Sequence, residues 1–150
     1  MPGPTCVGTW LLRVTALGQP ESTGFPVTAT FGADGTFISS SPPVSPGPTD
    51  APDQVRFTST AQGVWEATDS GDCAVTHIFY STDAQGNLLT LEIRLLMALG
   101  PDGSTMAGTD YATGSAPDGT VLFSGPGNTI EGTRLTVKLA PAASSPSPTP

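Results

Sequence analysis

What this 150-residue chain has least of is positive charge: Arg13, Arg56, Arg94, Arg134 and Lys138 stand against thirteen acidic side chains, for a net charge of -8. The five are scattered along the sequence rather than clustered. Nucleic acids and anionic membrane surfaces are bound through a basic stripe, so neither is expected as a partner. Charged residues of either sign make up only 12% of the chain, while glycine and proline number 18 and 16; helical proteins rarely look like this. No run approaches the roughly 20 apolar residues of a membrane span. The opening "MPGPTCVGTW" lacks the basic start and apolar core of a signal peptide. These absences give the expectation of a cytoplasmic protein with no membrane association.

Cysteine and histidine are equally scarce. Cys6, Cys73 and His77 are the only residues of their types, and their separation gives no zinc signature. No metal and no other cofactor is expected. In a reducing compartment the two cysteines are expected as free, buried thiols. The alternative is a disulfide joining the start of the first strand to a strand in mid-chain. The chain also lacks a Gly-x-Ser-x-Gly elbow, a defensible Ser, His and Asp order, a phosphate-binding glycine loop and a dinucleotide fingerprint. Hydrolase, kinase and redox functions fall away with them.

Period-2 runs of strand formers, bounded by Gly, Asp and Pro, are what the chain has in abundance. They predict strands at about 8–16, 25–31, 36–40, 54–59, 62–68, 73–82, 88–98, 105–113, 120–125 and 128–138. Ten short strands and almost no helix make an all-β antiparallel meander within one domain, residues 1–139. Four turns share one chemistry, "GADGT", "TDAQGN", "GPDGS" and "APDGT", each offering a glycine for the left-handed region after two turn formers. The stretch 39–53, with five prolines, is predicted to be a long loop without strand, either a stiff surface connection or a lid. The Pro/Ser-rich tail 140–150 is predicted to be disordered.

Turns of three residues would fix the register, and register decides which side chains share a face. Asp83 would oppose Asn87, which sets His77 against Ile93 and Thr76 against Arg94. Gly100 would oppose Ser104, which sets Ile93 against Tyr111 and Arg94 against Asp110. One face then carries Tyr80, Glu92, Arg94 and Asp110, either a solvated charge group or, if a turn has another length, a polar cluster in the interior. The other carries His77, Phe79, Leu91, Ile93, Thr109, Tyr111 and Phe123, and must point inward to escape water. Without helices to cover it, this face can be buried by a second sheet or by closure of the first; a meander favours a closed barrel of about eight to ten strands with a hydrophobic lumen.

"GTW" at Gly8–Trp10, the tight glycine turns and "EGTRL" at 131–135 together resemble the lipocalin-like calycin barrels over most of residues 7–139. The resemblance implies that Trp10 closes one end of the barrel and that Arg134, from the last strand, packs across it. In size and pattern the chain is also similar to the allene-oxide-cyclase-like barrels, which implies a cofactor-free cyclase or isomerase acting on a hydrophobic, polyketide-like or polyene-like intermediate. His77 and Tyr111 are the candidate catalytic residues, as the groups able to offer a proton or hydrogen bond to a molecule held in the lumen. Trp10, Trp65, Phe79, Leu91, Ile93, Thr109 and Phe123 are the candidate ligand contacts, with Trp65 expected near the Pro-rich loop. The other reading is a carrier of the same kind of small hydrophobic molecule without chemistry. Low surface charge is compatible with a homodimer.

Overall fold

The computed structural model describes residues 5–45, 56–83 and 85–142. Ten strands follow in chain order: β1 (Gly8–Ala16), β2 (Phe25–Phe31), β3 (Thr36–Ser40), β4 (Val44–Ser45), β5 (Arg56–Phe57), β6 (Ala61–Ala67), β7 (Cys73–Thr82), β8 (Leu88–Leu99), β9 (Thr105–Ser115) and β10 (Val121–Arg134). Eight of them close into an antiparallel barrel in the order β1-β10-β9-β8-β7-β6-β3-β2, and β4 pairs with β5 in a separate ribbon. The only helical element among the described residues is one 3-10 turn at Glu21–Thr23. With no covering layer, closure is what buries one face of the eight barrel strands and removes the edges of their sheet. The result is a closed, all-β, eight-stranded antiparallel barrel, consistent with the calycin-like barrels that the sequence resembles.

The loop stretch 39–53 needs one correction. Val44 and Ser45, two successive residues with free N–H groups between prolines, form β4 against Phe57 and Arg56. Only Arg56–Phe57 of the strand expected at 54–59 is assigned, with Thr58 bridging to Ser81 of β7. Residues 46–53, where a lid was considered, and 143–150 of the tail lie outside the described residues. The two last expected strands are a single irregular one, β10, which stops at Arg134.

Turn geometry sets the faces. In 32–36, 83–87 and 116–120 the first residue's N–H bonds the fifth residue's carbonyl and the glycine's N–H returns to the first. A further turn of this kind, 68–72, had not been singled out. The turn at Gly100 differs by one residue: its N–H reaches the carbonyl of Thr105, not Ser104. Ser104 is bulged because its carbonyl accepts the Arg134 N–H, while the Gly103 carbonyl accepts Arg134 Nε at 3.0 Å.

That single residue exchanges the two faces of β9, since side chains alternate with period 2. Thr76 pairs with Arg94 and His77 with Ile93 as expected, but Arg94 pairs with Tyr111, Ile93 with Ala112 and Leu95 with Asp110. Thr109 and Tyr111 therefore face solvent, and Asp110 is buried at 7% exposure. An irregularity at Leu122 then shifts β10 by one residue, so that Phe123 pairs with Gly114. The second slip cancels the first and returns Phe123 to the lumen side.

The cysteines are joined, Cys6 to Cys73, which replaces the expected free thiols with the alternative. β1 and β7 lie four strands apart in a ring of eight. The disulfide therefore draws the segment before β1 across the end of the barrel.

Candidate functional site

One end of the lumen is sealed by the residues the resemblance named. Trp10 is fully buried, and the Arg134 guanidinium lies over its ring, 4.3 Å from the centroid. Beyond the Gly103 bond, Arg134 donates Nη1 to the Val7 carbonyl and Nη2 to that of Thr5, both at 2.6 Å. The indole Nε1 of Trp10 donates to the Cys6 carbonyl at 2.9 Å. Phe31, Phe37 and Met97 fill the space above, each 1% exposed or less. Trp65 belongs to this end rather than to the Pro-rich stretch: its ring packs 5.5 Å from Phe31, and its Nε1 donates to the Gly32 carbonyl at 2.8 Å.

The other end is built differently. Phe25 pairs with the buried Val14, so it faces the lumen, yet it is 43% exposed. Phe123 lies over Gly114, where any side chain would overlap its ring, and is 48% exposed. Phe79, half-buried, pairs with Leu91 on the same side. These three rings form an aromatic rim. Beneath it the lumen wall is small: Ser39 pairs with Ala61, Ala112 with Gly125. A methyl group added at Gly125 would meet nothing within 4 Å, so open space lies there.

His77 sits in the row that ends at this space. The register runs Gly63, His77, Ile93, Ala112, Gly125 across five strands. Gly63 leaves room for it, since a Cβ there would come within 2.7 Å of the His77 Cβ. The imidazole stacks on Phe37 at 5.1 Å with the planes 7° apart, and lies 6.2 Å from the Phe79 ring. Burial pushes its pKa down to about 4, so it is neutral near pH 7. Its Nδ1 is the only buried side-chain nitrogen or oxygen without a hydrogen-bond partner among the described residues. Such an atom costs roughly 1–3 kcal/mol unless something pairs with it.

Asp110 faces the same lumen but is committed. Its carboxylate accepts the Asn128 N–H at 2.8 Å and Nδ2 at 2.7 Å, pinning the irregularity between Pro126 and Thr129 of β10. Burial raises its pKa, and the bonds from Asn128 oppose that rise.

The remaining candidates are outside. Tyr111 is 41% exposed, with the Arg94 guanidinium 5.6 Å from its ring and the Ser124 hydroxyl donating to its oxygen at 3.2 Å. Arg94 Nε also donates to Glu92 at 3.1 Å. Tyr80 is half-exposed, and Thr109 is exposed. The expected charge group of Glu92, Arg94 and Asp110 thus loses Asp110, and the structure does not bring His77 and Tyr111 together. Leu91 and Ile93 line the lumen as buried walls. Phe25 was missed although β2 alternates Phe25, Val27, Ala29, Phe31; the Phe37 stack was missed because the Pro-rich stretch interrupted the register argument before β3.

A surface concavity of about 710 Å³ lies on the outer face of β1, β10, β9 and β8, edged by Leu11, Ala98, Ala107 and Thr133. The lumen is the stronger candidate because its mouth leaves Phe25 and Phe123 half-exposed over open space at Gly125. Another, of about 370 Å³, lies between Val44, Phe57, Tyr80 and Leu88. Among the described residues no group of three His, Cys, Asp or Glu gathers to hold a metal ion, and no helix is long and apolar enough to cross a membrane. The chain has no significant match among protein-family models, curated proteins or solved structures.

Proposed function

We propose that this barrel binds one small apolar molecule in the open half of its lumen. The observation that carries the proposal is the contrast between the ends: a floor of buried Trp10, Phe31 and Met97, and a lumen-facing rim of half-exposed Phe25 and Phe123 above open space at Gly125. Apolar walls with few polar groups are what small-molecule sites have, and barrels of about eight strands can hold one such ligand. Titration with an apolar fluorescent dye tests it. One dye per chain is expected, with binding at least tenfold weaker in Gly125→Leu, whose side chain fills the open space while the melting temperature stays close to that of the parent. Equal binding by both proteins would put the dye outside the lumen and overturn the proposal.

A cofactor-free cyclase or isomerase acting on a hydrophobic intermediate is the second reading. It draws on His77 and Asp110 both facing the lumen with pKa values displaced by burial, a pattern found at acid–base sites. Asp110 is tied to Asn128 and Tyr111 lies outside, so no second free group stands ready to share a proton with His77. Binding without chemistry is therefore preferred, and conversion of a bound molecule that His77→Phe abolishes would reverse the preference. The disulfide supports an oxidising compartment as the working place.

A further inference from the structure

We infer that residues 135–139 form an arm that one copy of this chain lays into the outer groove of a second copy, receiving that copy's arm in return. The groove lies outside the barrel, so the inference is independent of the lumen.

β10 ends at Arg134, and the Leu135 N–H still bonds the Thr9 carbonyl at 2.8 Å. The chain is thereby aimed past the closed end. Beyond it Leu135, Val137 and Leu139 alternate with Thr136 and Lys138, a strand-forming pattern with one apolar row, yet the segment joins no sheet among the described residues. Val137 and Leu139 are 93% and 92% exposed, the highest values of any large hydrophobic side chain among the described residues. A contiguous apolar row left in water marks a contact surface.

The groove begins where the arm departs. Thr133, two residues before Leu135, lines it together with Thr105 and Gly100. Leu11, half-exposed, stands on one side, and Ala98 and Ala107, paired across β8 and β9, are short enough to leave a hollow for side chains the size of valine and leucine. Charge fits as well. Glu131 also lines the groove; its cross-strand neighbour Arg13 is turned to the Glu21 carbonyl at 3.0 Å, and the only ion pair among the described residues is Arg94 with Glu92. Lys138, the one lysine of the chain and the one charge on the arm, supplies the opposite sign to Glu131, where a net charge of -8 would otherwise resist self-association. The arm does not fill its own groove: it would have to reverse within two residues to bring Val137 back over Thr133, and Val137 stands free. Two copies related by a two-fold axis exchange arms instead, so that each arm and groove contact occurs twice.

Sedimentation equilibrium of the full chain tests this, and the parent is expected as a dimer. Val137→Asp with Leu139→Asp changes exposed positions outside the barrel, and Ala107→Arg blocks the groove from its exposed side. Each should weaken association at least tenfold with the circular dichroism spectrum unchanged. Mixing the two variants should restore part of the dimer, because the intact arm of one meets the intact groove of the other. On the parent alone, an excess of a peptide of residues 134–142 should dissociate the dimer. A monomeric parent would overturn the inference. So would a dimer that survives either variant, variants that associate no better mixed than apart, or a parent dimer indifferent to the peptide, and this last comparison decides even where a variant fails to fold.

Discussion

His77 is kept neutral by burial, and this has a consequence for stability. In the unfolded chain it titrates near 6.5, and in the barrel near 4. Between those values the unfolded chain holds a proton that the native protein does not, so stability falls as pH drops through that window and is unaffected by this group above it. At about 1.4 kcal/mol per unit, the loss is on the order of 3 kcal/mol. Asp110 acts in the opposite sense, since its raised native pKa favours folding as the carboxyl protonates. Urea melts of the parent and His77→Phe at pH 4.5 and 7 separate the two, because Asp110 is common to both. The parent should lose more stability on acidification than the variant; equal losses would count against a buried neutral histidine. The position of His77 was legible as the only histidine on an apolar alternation. That nothing pairs with it was not, because Phe37 reaches it from a strand far away in sequence.

At the scale of the element, β9 and β10 carry the irregularities that decide which side chains see the lumen. One extra residue at Ser104, held by two bonds to Arg134, turns Asp110 inward and Tyr111 outward. Composition cannot show this, since "GPDGS" and "APDGT" read as the same turn and only the last strand's grip on the loop distinguishes them. Leu122 undoes the shift for Phe123 in the same way. The second β10 irregularity depends on Asp110: Asp110→Ala would leave the Asn128 N–H and side-chain amide without their acceptor. A loss of about 1–3 kcal/mol is expected in a urea melt. A variant as stable as the parent would mean that water replaces the carboxylate fully.

For the whole molecule, closure was legible from what is missing: an apolar face on successive strands and no helix to cover it leave few alternatives. The Arg134 guanidinium lies over the Trp10 ring, a contact expected from the resemblance and not from the strand pattern. The disulfide was legible only as the alternative to two free thiols, because Cys6 and Cys73 meet only once β1 and β7 stand across the ring from each other. It closes a loop with a sequence separation of 67, for which chain entropy gives about 4 kcal/mol. Cys6→Ser with Cys73→Ser should lower the melting temperature accordingly, and denatured parent protein should show no free thiol; two free thiols would contradict the pairing.

The measurement that bears most directly on the open lumen is amide chemical-shift mapping of the folded protein with the apolar dye. Perturbations are expected at Phe25, Ala112, Phe123 and Gly125, with Leu11, Ala98 and Ala107 unmoved. Shifts confined to those last three would place the molecule in the outer groove and contradict a ligand-holding lumen.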